Sequence, residues 1–279
     1  MTGLFAADGI LLILAAIGYL IAAVGYGAHL FLRQSGLVCL ARGAAVIAVV
    51  LHTAAIGVHC IATRQTPFTT PAETLSASAW AIALAYLLIE LLLPARPTAL
   101  GALALPAAFL CLFAGATLHH THNAAPLSGA VSLDSRLVSL HIIAILFAFA
   151  LLVLAFGCAA FYLGQHALLK RKRVLGGLFG KLPPLSDLDH LGFTLVAFAF
   201  PLLTIGLGAG AIRALTGGLS GPWATDPKTL ASLATWLVYG FYLALHARWR
   251  GPRANYLLLG GLLIALVTYF IPTQAHQFG

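Results

Sequence analysis

The sequence predicts an all-α fold: a polytopic integral membrane protein built as a bundle of about eight transmembrane helices, with both termini on the outer, periplasmic side. Three observations carry this prediction. Hydrophobic residues make up 61% of the 279 positions and charged residues only 8%, whereas water-soluble domains carry about a quarter charged. The chain divides into apolar runs of roughly 20 residues, the length of a helix that crosses a bilayer. Those runs are rich in Ala, Leu and Gly and lack the polar–apolar alternation of a membrane β-barrel. Helices also satisfy every backbone polar group in lipid within one open chain.

Taken in order, the spans fall at roughly 9–31, 42–62, 75–93, 98–118, 137–165, 189–213, 228–247 and 254–271. The first is entered past Asp8 with no Lys or Arg ahead of it, so it lacks the basic start of a signal peptide and reads as a retained helix. The second carries His52 near its middle and His59 seven residues on. Pro67-Phe68-Thr69-Thr70-Pro71 turns the chain into the third, where Glu73 is placed to cap the helix start and Glu90, near the far end, to reach water or meet Arg96. The fourth ends on His119-His120-Thr121-His122 and an irregular stretch from Asn123 to Ser128. His141 stands near the start of the fifth. A basic loop, Lys170 to Leu185, with Gly176-Gly177 and Pro183-Pro184, leads to the sixth. Gly217-Gly218 and the loop Gly221 to Lys228 precede the seventh, which contains Trp236, Tyr239 and Tyr242 and closes on His246. The eighth ends in a short tail holding His276. With no repeat and no polar segment of domain size, residues 1–279 read as one membrane domain.

Charge fixes the orientation. The net charge of +8 would suit nucleic acid, but the basic residues sit in short loops between apolar runs, and no nucleic-acid partner is expected. One set of loops holds Arg33, Arg42, Arg96, Lys170, Arg171, Lys172, Arg173, Lys181, Arg248, Arg250 and Arg253, which is 11 of the 15 Lys and Arg. That side is cytoplasmic by the positive-inside rule. Arg64, Arg136, Arg213 and Lys228 lie on the other, together with Trp223, Asp226, the His119 loop and the tail. The chain is expected in a bacterial inner membrane, in contact with lipid on all sides.

The four cysteines, Cys39, Cys60, Cys111 and Cys158, stand alone, and no CxxC occurs. A thiol oxidoreductase, a zinc ribbon and a covalent CxxCH heme site are unsupported. Histidine is the abundant titratable type, with 11 against seven acids. Imidazole is a common axial ligand of heme iron, and ionisable residues at membrane depth are costly enough to be functional hypotheses by default. Topology puts His141 and His276 on the outer face with Trp223, where two imidazoles could take a porphyrin between them as the axial ligands of its iron. A capped helix start and a plain tail are the bland alternatives. His52 and His246 form a candidate deeper pair, for which ligand and packing roles weigh equally. His59 shares the face of His52 and reads as a packing residue. The His119-His120-His122 cluster could hold zinc, copper or nickel, but no cysteine or carboxylate completes a set, which favours a solvated loop. Asp226 precedes Pro227 and reads first as a helix cap. Arg136, Lys228 and Arg64 are the outer cations able to meet heme propionates.

Several stretches resemble the cytochrome c assembly protein family, the CcsA/CcmC/HemX-like heme-handling membrane proteins. PFTTPAETL is similar to the family's outer turn with a Glu before helix 3. LHIIAILFAFALLVLAFGCAAFYL is similar to its His-led fifth helix, and PPLSDLDHLGFTLVAFAFPLLTIGLGAG to the helix before its tryptophan-rich loop. WATDPKTLASLATWLVYGFYLALHAR is the most specific match, and AHQFG resembles its closing His-x-aromatic-Gly. The resemblance covers about residues 42–279, and the eight-helix count is most like the compact HemX/YpjD-type branch. It implies a noncovalent b-type heme held by His141 and His276 beside Trp223 and Asp226, with His52 and His246 matching the family's membrane histidines. It implies heme transfer to cytochrome c assembly partners or apocytochrome, with no bond chemistry of the protein's own. The loop keeps Trp223, Asp226, Pro227 and Lys228 but not the further tryptophans of full heme-delivery proteins. A b-type electron-transfer subunit, and a membrane scaffold or transporter without heme, are the competing readings.

Overall fold

A computed structural model describes residues 2–32, 34–63, 68, 70–93, 97–121, 136–171, 182–216, 223–249 and 251–271. Among these there are eight α-helices, one 3-10 turn and no strand. The helices are α1 (Thr2–Leu32), α2 (Ser35–Thr63), α3 (Pro71–Leu92), α4 (Thr98–Thr121), α5 (Arg136–Lys170), α6 (Leu185–Thr216), α7 (Pro227–Leu245) and α8 (Pro252–Phe270), and the turn, Trp223–Thr225, leads into α7. The protein is thus the polytopic helical membrane protein that its apolar runs predict. Six helices, α1 to α6, are long and apolar enough to cross a membrane. α7 and α8 are 19 residues each, close to the roughly 20 a span needs.

The contacts divide the chain into two compact units, Met1–Leu127 and Ser128–Gly279. In the first, α1 packs on α2 and α4, and α3 packs on α4. In the second, α5 packs on α6 and α8, and α7 on α6 and α8.

α1 shows how the helices meet lipid and one another. On α1 the buried positions include Ala15, Tyr19, Ala22, Tyr26 and, near its end, Leu30, while Ile10, Ile13, Ile17, Leu20 and Val24 are exposed. Large aliphatics face outward because lipid is as apolar as they are, and small residues face inward because close helix approach is what holds a membrane bundle. Gly18 and Gly25 of α1 show the consequence: a Cβ on either would lie 2.8 Å from the Cβ of Ala48 or Ala41 on α2.

Local sequence fixes the helix starts. Thr70 caps α3 by accepting from the Glu73 amide at 3.2 Å, while the Glu73 carboxylate accepts from the Thr70 amide at 3.2 Å, a reciprocal capping box with Pro71 at the first turn. Asp226 caps α7, its Oδ1 accepting from the amides of Lys228 at 2.9 Å and Thr229 at 3.4 Å, again with Pro at the first helical position. α1 begins at Thr2, earlier than the apolar run suggests, which brings Asp8 inside the helix.

Glu90 does not reach water, as the sequence suggested. Its side chain is wholly buried, bonded to Arg42 Nη2 through Oε1 at 2.9 Å and to the Tyr26 hydroxyl through Oε2 at 2.5 Å. Arg96 lies outside the described residues. A buried carboxylate must be paired, and Arg42, placed eight residues into α2 rather than in a loop, is the cation within reach.

Candidate functional site

Of the predicted ligands, His141 has the clearest chemistry. It sits in the second turn of α5, partly buried against α6, and its Nδ1 lies 2.6 Å from the carbonyl oxygen of Gly206. A carbonyl only accepts, so Nδ1 carries the proton. In the neutral ring the lone pair is then on Nε2, the tautomer a metal ligand needs, held by the kind of backbone hydrogen bond that orients ligating histidines elsewhere. Among the described residues Nε2 has no hydrogen-bond partner.

The ring fits there because α6 presents the segment Gly206-Leu207-Gly208-Ala209-Gly210. A Cβ on Gly210 would lie 2.8 Å from His141 Nδ1, and one on Gly206 would lie 2.7 Å from Ile145 Cδ1. Lys228, at the start of α7, is near enough for its charge to act on the His141 ring. The turn Trp223–Thr225 and the cap Asp226 directly precede it. One side of the second unit therefore offers an imidazole nitrogen, a nearby ammonium group and the Trp223 turn. The Trp223 side chain and His276 lie outside the described residues, as do Arg64, His122 and the side chains of His119, His120 and Arg136.

α7 is locked to α6 just beyond this point. Trp236 Nε1 donates to Thr204 Oγ1 at 2.9 Å, and its ring stacks on Phe200 with centroids 5.3 Å apart. Tyr239 and Tyr242 are buried.

His52 is placed differently. It is wholly buried in the first unit with both ring nitrogens engaged: Nδ1 is 3.1 Å from the Tyr19 hydroxyl and Nε2 is 3.0 Å from Ser76 Oγ. It can bind a metal only by giving up one of them. His246, in the second unit at the end of α7, stacks on Phe193 at 4.5 Å, and its Nε2 lies 3.3 Å from Asp189 Oδ2 without hydrogen-bond alignment. Asn255 Nδ2 donates to the other oxygen of Asp189 at 2.9 Å and orients the carboxylate.

His59 is the packing residue expected of it, in an ion-paired form. Its Nδ1 is 3.1 Å from Asp8 Oδ2 and its Nε2 3.5 Å from Glu73 Oε1, which ties together α1, α2 and α3. Sequence reading missed Tyr19, Ser76, Asp189, Asn255 and the two cradle glycines. The spacing of Tyr19 and Tyr26, seven residues apart on one face of α1, and the Gly-x-x-x-Gly at 206–210 were the available signals.

A family profile described as cytochrome C assembly protein matches residues 71–274, a span that takes in His141, the Trp223 turn, Asp226 and His246. Proteins called cytochrome c biogenesis protein CcsA are similar to the chain. The one from Guillardia theta is 39% identical over 103 residues, covering 34% of this chain and 33% of its own length. The one from Porphyra purpurea is 27% identical over an alignment covering 94% of each. The one from Cyanophora paradoxa is 40% identical over 100 residues, covering 33% of this chain and 30% of its own. The strongest local identities thus span about a third of those relatives. No solved structure matches. With the profile matching well over half of its length, the chain belongs to the cytochrome c assembly protein family.

Proposed function

We propose that the protein handles heme for cytochrome c biogenesis: it binds heme noncovalently, as a b-type group, at the outer face of a bacterial inner membrane and passes it on without bond chemistry of its own. The observation that carries this reading is the pairing of His141 Nδ1 with the Gly206 carbonyl, which leaves Nε2 as an iron donor. Family membership and the relatives' naming for cytochrome c biogenesis point the same way. Heme is the cargo. His141 offers one axial ligand, the sequence expectation supplies His276 as the other, and Lys228 is a cation suited to a propionate.

Asp226 serves the site by fixing the start of α7 and with it the placement of Lys228. His52 and His246 stay in the proposal as membrane-level ligands, His52 at the cost of one of the two hydrogen bonds it now holds and His246 through Nε2, which makes none. A protein that relays heme must release it, and a ligand that trades one bond for another does so at small net cost. Joining heme to an apocytochrome is left to partner proteins of the assembly machinery.

The test is an absorption spectrum of the detergent-purified full chain titrated with hemin. A Soret band that is lost in the H141A/H276A double variant supports the proposal. A band insensitive to those changes and lost in H52A/H59A favours an electron-transfer cytochrome instead. Absence of a band at any loading means a scaffold or transporter.

A further inference from the structure

α6 meets the His141 ring with bare backbone, and two of its glycines do so in different ways. The three nearest atoms to a Cβ on Gly210 all belong to His141: Nδ1 at 2.8 Å, Cε1 at 3.0 Å and Cγ at 3.6 Å. For Gly206 they belong to Ile145, one turn further along α5, at 2.7 to 3.3 Å. Gly208, between the two, meets nothing within 4 Å. A Gly-x-x-x-Gly pair in a membrane helix ordinarily serves helix-to-helix approach, and Gly206 fits that role. Gly210 does not, since what it makes room for is an imidazole.

The geometry points to Gly210 as the positioning residue of the heme-binding histidine: it lets the Nδ1 edge of the His141 ring close on α6, so that Nδ1 donates to the Gly206 carbonyl and Nε2 is left for the cargo. This inference rests on the proposed function and adds the element that selects the ligand atom. An imidazole free to turn about its Cβ–Cγ bond presents either nitrogen. One held between a carbonyl acceptor and a backbone wall presents a single nitrogen in a single tautomer before any metal arrives, and it loses no rotamer freedom on binding. A methyl group at 210 occupies the space of the ring, so the ring must swing off α6 and release the Gly206 carbonyl. Gly206 contributes its oxygen, which any residue has, and its lack of a Cβ, which keeps α5 close enough for the bond to reach 2.6 Å.

The experiment compares wild type, G208A, G210A and H141A as full-length, detergent-purified proteins. In the absence of heme, 15N spectra of histidine-labelled protein, with H141A identifying the resonance, are expected to show the Nδ1-protonated tautomer for His141 in wild type and G208A and a mixture in G210A. On titration with hemin, G208A is expected to behave as wild type. G210A should bind about 10- to 100-fold more weakly, the usual cost of losing the group that orients a metal ligand, and its spectrum should shift from low-spin to high-spin. Added imidazole should restore the low-spin spectrum in both G210A and H141A.

The inference is overturned if G210A and G208A give the same 15N pattern. It is also overturned if the loss in G210A is not restored by imidazole while the unfolding midpoint falls, which marks a general packing defect. A wild type that takes up no heme sinks the proposed function alone, because the tautomer comparison needs no heme.

Discussion

Arg42 and Glu90 form an ion pair between α2 and α3 in which the carboxylate is completely enclosed, with Nη2 and Oε1 2.9 Å apart and the arginine 26% exposed. Removing one partner of such a pair strands the other without solvent, a loss of about 3–5 kcal/mol when both are fully enclosed. Because Arg42 keeps some access to its surroundings, R42A is expected near the low end of that range, about 3 kcal/mol. An R42A/E90A double variant should lose less than the sum of the single losses. Unfolding in detergent, run as a double-mutant cycle, measures this; additive losses count against a coupled pair.

Beside that pair the first unit has a tight spot. A Cβ on Gly101 of α4 would run into the Tyr86 hydroxyl and lie 2.7 Å from Tyr26 Cγ, and both rings are fully buried. G101A is expected to destabilise by about 1–3 kcal/mol, the cost of overpacking. G43A, where a Cβ meets nothing within 4 Å, should be neutral or slightly stabilising, since alanine is the better helix former. Thermal unfolding of the two side by side is the measurement, and equal midpoints contradict the packing described.

The three-way contact of Asp8, His59 and Glu73 fastens the first turns of α1 to α2 and α3. Replacing His59 by alanine leaves two carboxylates facing each other with nothing between them. Backbone amides around Asp8 should then exchange with deuterium faster than in wild type, by about tenfold for a loss near 1.4 kcal/mol. Exchange in α5 and α6 should not change.

In the middle of the first unit, Tyr19 and Ser76 hold the two nitrogens of His52. S76A leaves Nε2 unpaired and should make His52 more reactive toward diethyl pyrocarbonate in the ligand-free protein, at a cost of about 1–3 kcal/mol for the unsatisfied buried nitrogen. Y19F should destabilise by about 1 kcal/mol, a typical hydrogen-bond contribution. Mass spectrometry of modified peptides reads the first effect and an unfolding curve the second. If S76A leaves the reactivity of His52 unchanged, Ser76 is not what occupies that nitrogen.

Much of the fold was legible because a bilayer imposes a length on every crossing segment, and the eight apolar runs announced eight helices to within a few residues at most ends. The starts of α7 and α3 were legible too: Asp226 stands just where a carboxylate meets free amides and caps α7, while at α3 the cap itself is Thr70 and Glu73 completes its capping box. The start of α1 was not legible, because the apolar run begins after Asp8 and nothing local shows that His59, 51 positions on, will partner it. The same limit hid every polar pair between helices. A helical period tells which face a residue lies on but not which helix that face meets, so Glu90 was matched to nearby Arg96 and its true partner on α2 went unseen. The ligand role of His141 was proposed from its place near a helix start. The tautomer that makes it chemically apt depends on a carbonyl 65 residues away.

On α1 the outward Leu, Ile and Val and the inward Ala, Gly and Tyr reverse the usual map of tolerance to substitution. Trading one aliphatic for another at the greasy perimeter, as in I13L or V24I, should pass unnoticed, whereas a single extra methyl along the α1–α2 seam or against His141 should not. A deep mutational scan of this protein would therefore show strict positions at the small side chains that meet a neighbour, such as Gly18, Gly25 and Gly210, and tolerant ones at the aliphatics around them.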